Sequence, residues 1–328
     1  MPSDEGVSMA SFLEKTLEER PSQHLGFIAW DEFFRCLPRL IRIHQWAKNS
    51  LLFLPLIVSH RFLELDLIVN ALFAFFAFSL CASSTYILND LKDVETDRTH
   101  PHKKKRPIAA GEVSRGAALA VAAILFAAGL GLAIQIDWPV TLMLLGYIAI
   151  TSAYTAGVKK IWILDATVLS TLFTWRILSG AVATGIFVSP WLLLFSVFFF
   201  YSLALAKRAT ELITSEGDRD GVEKSGRGYY MSDLQIVAIQ GVCSGFVAVM
   251  VFGLYINSPH AATLYAQVHF LWPICLILCY WISRTWGITM RGELCADPVV
   301  FALRDKASYA MGFAILILAC LAKWIDFL

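Results

Sequence analysis

The 328-residue chain is 57% hydrophobic and only 16% charged, whereas soluble domains usually carry about 25% charged residues. With a mean hydropathy of +0.62, this excludes an ordinary soluble protein. The net charge of +1 says little by itself, but the placement of the charges says more.

A bilayer core about 30 Å thick takes about 20 apolar residues per helix. Such runs fall near 45–61, 66–88, 114–136, 138–156, 162–185, 189–206, 233–256, 266–284 and 307–327. They predict an all-α integral membrane protein with about nine transmembrane helices. Residues 1–35 form a separate polar segment, interfacial or disordered, without the charged-then-apolar start of a cleavable signal. Residues 36–328 form one transmembrane domain. The first run is the weakest, because Trp46-Ala47-Lys48-Asn49 makes its start polar. Very short loops join the third, fourth and fifth runs, so these should pack as antiparallel neighbours.

Nine helices with an internal N-terminus place 1–44, 89–113, 157–161, 207–232 and 285–306 on the cytoplasmic side of an inner membrane. Counting the helix-end residues Lys48, Arg115 and Arg284 with their adjoining loops, only Arg61, Arg176 and Lys323 of the 27 Lys and Arg residues lie elsewhere, as the positive-inside rule requires. The seven cysteines lack zinc-ligand spacing with histidine; Cys275 and Cys279 read as small core residues. Large polar loops follow the second and sixth helices, four helices apart, which suggests two related halves around one central cavity.

The richest polar stretch is Asn89-Asp90-Leu91-Lys92-Asp93-Val94-Glu95-Thr96-Asp97, at the cytoplasmic end of the second helix. On one continuous helix, Asn89, Asp90, Asp93 and Asp97 fall within roughly 100° of arc. Crowded carboxylates repel and call for a divalent cation, and hard oxygen ligands suit Mg²⁺, which commonly also holds substrate phosphates. The alternative is a solvated, charged helix end. The basic run His100-Pro101-His102-Lys103-Lys104-Lys105-Arg106 follows in the same loop. Cations there either neutralise spare phosphate charge or face anionic lipid, and Arg106 is the expected substrate contact.

The second loop opens with Lys207-Arg208-Ala209-Thr210-Glu211. Lys207 and Glu211 can share a helix face, and Arg208 offers a forked donor for phosphate; a structural ion pair is the other reading. Glu216, Asp218, Asp220 and Glu223 follow in a loop given no role. Arg176 stands in the middle of the fifth run, where an arginine is costly and should face a polar cavity. Its natural partners are a substrate phosphate or Asp165. Lys159, beside Lys160, sits at the cavity mouth, as a phosphate contact or a topological anchor. Gln45-Trp46-Ala47-Lys48-Asn49 is either an interfacial anchor or part of the cavity lining.

Asn89-Asp90-x-x-Asp93-x-x-x-Asp97 resembles the first aspartate motif of the UbiA superfamily of intramembrane prenyltransferases, over nearly the whole chain from about 38 to 328. The resemblance implies helices around a central cavity, with Mg²⁺ and diphosphate held by acidic motifs at the cytoplasmic mouth. Where ordinary members carry a second aspartate motif, this chain has Lys207-Arg208-x-x-Glu211. Together with Gln45-Trp46-x-Lys48-Asn49, Tyr86-x-x-Asn89-Asp90, Asp97-Arg98-x-His100-Pro101, Arg106 to Gly111, Arg176-x-x-x-Gly180, Ala206 to Leu212 and Ala302-Leu303-Arg304-Asp305, this is similar to the decaprenyl-phosphate phosphoribosyltransferase branch. The branch implies transfer of 5-phosphoribose from phosphoribosyl diphosphate to a polyprenyl phosphate. Asp90, Asp93 and Asp97 would be catalytic and metal-holding. Asn89, Lys48, Asn49, Arg106, Lys159, Arg176, Lys207, Arg208 and Glu211 would bind substrate. The expected partners are a polyprenyl phosphate or prenyl diphosphate lipid, a soluble phosphorylated co-substrate and membrane lipid; no nucleic acid is expected, and a homo-oligomer is left open. A conventional prenyltransferase acting on an aromatic or other small acceptor, and a non-enzymatic lipid transporter, are the rival readings.

Overall fold

A computed structural model describes residues 30–99, 103–214, 228–294, 301–302 and 304–325. Residues 1–29 of the expected 1–35 polar segment, the His100–His102 stretch, the acids of the second loop, Cys295 and Leu303 lie outside the described residues. The described chain is all-helical. Its elements are α1 (Trp30–Leu40), a 3-10 stretch (Ile43–Phe53), α2 (Leu54–Val58), α3 (Leu65–Lys92), α4 (Val94–Thr99), α5 (Arg115–Ile136), α6 (Trp138–Ala156), α7 (Leu164–Thr184), α8 (Pro190–Thr214), α9 (Leu234–Ile256), α10 (Pro259–Leu264), α11 (Trp272–Met290) and α12 (Lys306–Trp324).

Eight helices among the described residues are long and apolar enough to cross a membrane, close to the later eight predicted runs. The first predicted run is not a long α-helix: the 3-10 stretch leads directly into the five residues of α2. At about 2.0 Å per residue in the 3-10 part and 1.5 Å in α2, the two together extend roughly 30 Å. The segment therefore reaches as far as an α-helix of about 20 residues.

Local chemistry places the turns. Ser114 caps α5 by accepting from Ala117 N at 3.2 Å. Asp137 ends α5 and caps α6, accepting from Trp138 N at 2.7 Å, so these helices reverse over a single residue. Gly185, with φ +65°, ends α7 in the left-handed region.

Two large apolar cores dominate the packing, with three smaller ones beside them. One of the two joins α3, α5, α6 and α7 through Ala77, Phe78, Ala133, Leu144 and Leu172. The other joins α7, α8, α9 and α11 through Ile177, Leu205, Val237 and Trp286. Helix α7 serves both. Many outward residues, such as Ile124, Ile134, Leu276 and Phe313, are exposed and apolar, as a lipid-facing surface requires. Because lipid is as apolar as these side chains, close van der Waals fit must hold the helices together. Small residues permit it: a Cβ at Gly180 would lie 2.0 Å from the Leu52 carbonyl oxygen, and one at Gly129 would lie 2.8 Å from the Ala77 carbonyl oxygen.

A cavity of about 340 Å³ lies among α2, the start of α8, the end of α9, α11 and α12, lined by Leu54, Trp191, Phe195, Phe252, Ile274 and Ile315. Leu192 on its wall is 15 residues before Lys207, roughly 22 Å along the axis of α8.

The contact at Gly180 gives a direct test. Gly180→Ala should force the 3-10 stretch off α7 and cost about 1–3 kcal/mol, read as a lowered unfolding midpoint in nanodiscs. The same change at Gly131, where nothing lies within 4 Å of the added Cβ, should leave the midpoint nearly unchanged.

Candidate active site

The acidic motif spans a helix break. Helix α3 ends at Lys92, Asp93 adopts φ −95° and ψ 9°, and α4 begins at Val94. The helical hydrogen bonds nevertheless run on across the interruption, Asp93 N donating to Asn89 O at 3.0 Å and Asp97 N to Asp93 O at 2.8 Å, so Asp90 and Asp97 still face the same way, where Arg106 meets both. Among the described residues no three His, Cys, Asp or Glu side chains stand together as a metal set. The carboxylates of Asp90 and Asp97 are instead paired with arginines.

Asp90 is 6% exposed and Asp97 2%. Arg42 donates from Nη2 to both oxygens of Asp90, at 2.6 and 2.8 Å. Arg106 donates from Nη1 to Asp90 at 2.9 Å and to Asp97 at 2.6 Å. Two carboxylates thus converge on one cationic nitrogen. Asp93 and Asn89 are half-buried beside them, and no ion pair to Asp93 forms among the described residues. Lys103, Lys104 and Lys105 form an exposed 3-10 turn. Arg42 was read in the sequence only as a topological charge; its guanidinium also lies 5.1 Å from the Tyr86 ring centroid.

Arg176 lies deeper and is 6% exposed. It donates to Asn49 Oδ1 at 2.8 Å, to the Leu172 carbonyl at 2.8 Å and to the Tyr147 hydroxyl at 2.7 Å. Asn49 in turn donates to Ser79 Oγ at 3.0 Å. Asp165, named above as its partner, is not engaged by Arg176. The two residues are 11 apart on α7, roughly 16 Å along the axis, and neutral acceptors stand nearer. The first segment also contributes Trp46, whose Nε1 donates to Ser83 Oγ at 3.0 Å, and the half-buried Lys48.

Asp165 belongs to a second buried network. Arg208, 1% exposed, donates to fully buried Asp165 at 2.5 Å and to Glu211 at 2.5 Å, and reaches the Tyr154 hydroxyl at 3.4 Å. Tyr229 donates its hydroxyl proton to Asp165 and accepts from Ile163 N at 3.1 Å. Burial, and then that hydrogen bond to Asp165, push the Tyr229 phenol well above its usual pKa, so it remains a neutral donor. Lys207 and Lys159 are half-buried, while Lys160 is exposed. The structure brings Lys207, Arg208 and Glu211 together on the last turns of α8 and places Arg208 in the protein interior. Tyr229 had no signal in the sequence beyond its position just after Gly228.

Fold and site together define a polytopic membrane protein with a carboxylate-and-arginine pole at one end and an apolar cavity at the other. A family model described as the UbiA prenyltransferase family matches residues 52–303, and the chain belongs to that family. It is therefore a membrane transferase. It is similar to the uncharacterised protein y4nM of Sinorhizobium fredii, with 39% identity over 83% of this chain; the match spans about half, 53%, of that longer protein. The nodulation protein NoeC of Azorhizobium caulinodans is 37% identical over 81% of this chain and 86% of its own. The decaprenyl-phosphate phosphoribosyltransferase of Mycolicibacterium smegmatis is 33% identical over 82% and 86% of the two chains. Among solved structures, a UbiA homologue from Archaeoglobus fulgidus bound to GPP and Mg²⁺ shares the fold, with a TM-score of 0.62 and 13% identity over 88% of this chain and 98% of that one.

The Asp165 network yields a second test. Asp165→Asn leaves Arg208 facing a neutral group in the interior, and breaking one side of a buried pair costs about 3–5 kcal/mol. Tyr229→Phe should cost about 1–3 kcal/mol, because one Asp165 acceptor loses its donor. Unfolding midpoints of the two variants in the same nanodisc should rank in that order.

Proposed function

We propose that the protein is a Mg²⁺-dependent membrane transferase that moves 5-phosphoribose from phosphoribosyl diphosphate to a polyprenyl phosphate. The observation that carries this reading is the end of α8. Where a second acidic motif would bind metal, this chain has Lys207 and Arg208, and the Glu211 carboxylate is engaged by Arg208. A position that carries Lys207 in place of an acid, beside an Arg208 already paired with Asp165 and Glu211, suits a second anion, the lipid phosphate, better than a second metal. Similarity to the phosphoribosyltransferase of Mycolicibacterium smegmatis supports the same assignment.

The first acidic motif fits a small hard cation. Asp90 and Asp97 already point two carboxylates at one cationic position, held here by Arg106 Nη1, and Asp93 stands beside them. These three residues would hold Mg²⁺, with Asn89 aiding placement. When bound, the metal supplies charge neutralisation for the departing diphosphate. In the transfer, the ribose C1–oxygen bond to diphosphate breaks and its electron pair leaves with the diphosphate. An oxygen of the lipid phosphate forms the new bond to C1 from the opposite face. That nucleophile is already ionised, so no strong base is required, and catalysis rests on positioning and charge neutralisation.

Arg106, Lys159 and Lys207 neutralise phosphate at the polar pole, and the half-buried Lys48 of the first segment adds a further cation. Arg208 acts through its network, holding the last turns of α8 so that Lys207 is presented. Arg176 and Asn49 fix the first segment against α7. The polyprenyl tail runs toward the apolar cavity and out into lipid. The N-terminus and both polar loops face the cytoplasm at an inner membrane, on the strength of the Lys and Arg distribution.

A conventional prenyl transfer is the second reading; the GPP and Mg²⁺ in a protein of the same fold favour it. One assay separates the two. Purified protein in nanodiscs receives Mg²⁺, radiolabelled phosphoribosyl diphosphate and polyprenyl phosphate. Label should enter the lipid phase, disappear with EDTA, and fall at least about 100-fold in Asp93→Ala, the scale expected when a charge-stabilising contact is lost. Prenylation of a small aromatic acid from a prenyl diphosphate, with no labelled lipid, would establish the second reading instead.

A further inference from the structure

Arg42 and Arg106 hold Asp90 and Asp97 in an arrangement that also describes how the pole is loaded. Both acids are at least nine-tenths buried, and buried carboxylates must be paired. Arg42 reaches both Asp90 oxygens from Nη2 alone, and Arg106 bridges Asp90 to Asp97 through one nitrogen. Arg42 does this from a left-handed backbone, φ +53° and ψ 52°, which a non-glycine residue adopts only when its surroundings hold it there. The guanidinium fork matches phosphate as well as carboxylate.

We infer that the two arginines are exchangeable counter-ions that exclude bare Mg²⁺ from the pole and admit it only together with a diphosphate. The inference rests on the diphosphate reading of this site, but not on whether the diphosphate carries ribose or a prenyl chain. A metal ion arriving alone would take the carboxylates and leave Arg42 and Arg106 without partners at the bilayer edge. Arriving with a diphosphate, it brings the oxygens that the displaced guanidinium groups need. The arginines then pass from carboxylate to phosphate while the carboxylates pass from arginine to metal, and no buried charge is left unpaired. Arg42 is thus a positioning and selectivity residue of the pole.

Opposite effects on two ligands test this. Calorimetric titration of the full chain in nanodiscs would use Mg²⁺ alone, then inorganic pyrophosphate at fixed Mg²⁺, for wild type, Arg42→Gln and Arg42→Lys. Arg42→Gln should bind bare Mg²⁺ about tenfold more tightly and Mg-pyrophosphate about 10- to 100-fold more weakly, the range for a charged hydrogen bond gained or lost. Arg42→Lys, which keeps the charge and loses the fork, should recover part of the pyrophosphate affinity. Parallel loss of both affinities in Arg42→Gln, or an unchanged affinity for bare Mg²⁺, would overturn the exchange, and an unfolding midpoint measured on the same samples identifies a variant that has simply lost its fold. Wild type that binds Mg-pyrophosphate but transfers no phosphoribose would overturn the donor assignment and leave the exchange standing.

Discussion

Helix α7 carries two buried charges into a membrane, and much of the architecture exists to satisfy them. An arginine at the centre of a spanning helix costs about 2.5–3.5 kcal/mol on insertion scales, and water is not there to help. Arg176 therefore draws acceptors from the 3-10 stretch and α6 as well as its own helix, and Asn49 extends the chain of contacts to α3. One turn further along α7, Gly180 lets the Leu52 backbone come within van der Waals reach. The polar contact orients the first segment and the glycine lets it approach. Toward the other end of the same helix, Asp165 gathers Arg208 from α8 and Tyr229 from the segment leading into α9. Helix α7 is shared by both large apolar cores, so satisfying its charges also joins the two packing units.

The same constraint shapes the polar pole differently. Arg208 is committed: its donors meet Asp165, Glu211 and Tyr154 in the interior, and nothing could release it without leaving Asp165 unpaired. Arg42 and Arg106 are less enclosed, with side chains 22% and 29% exposed. A buried arginine with a buried partner is structural, whereas a partly exposed arginine over a buried carboxylate can trade partners when an anion arrives. Burial therefore separates the two kinds of cation more sharply than residue type does, and sequence alone treats them alike.

The long helices were legible because length and apolarity suffice to place a membrane span, and 138–156 coincides with α6 to the residue. The first segment was not, because hydropathy does not distinguish 3-10 from α geometry; the polar Lys48 and Asn49 near its start were the only sign that it differed. At the acidic motif a helical projection put Asp90 and Asp97 on one side, where Arg106 meets both, but residue types and spacing gave no sign that an arginine would stand between them. Arg42 was hidden for a related reason. As one of many cytoplasmic-side cations it fitted the topology count completely, and only a tertiary contact 48 residues along the chain gives it a partner. The pairing of Asp165 with Arg208 rather than Arg176 likewise depends on which helices adjoin.

The first segment links these parts. Within 18 residues it contributes Arg42 to the carboxylate pole, Trp46 and Asn49 to the interior polar contacts, and Leu54, Pro55, Val58 and Ser59 to the wall of the apolar cavity. An α-helix of the 16 residues from Ile43 to Val58 would extend only about 24 Å. The 3-10 portion lengthens it toward the full bilayer core, so one short piece of chain can touch both ends. Because 3-10 hydrogen bonds are poorer than those of an α-helix, such a stretch needs outside support, which Arg176 and Gly180 of α7 supply. The charge buried at mid-membrane thus acts with Ser83 of α3, which accepts from Trp46 and donates to the Ile41 carbonyl, to hold the stretch that follows Arg42 in place.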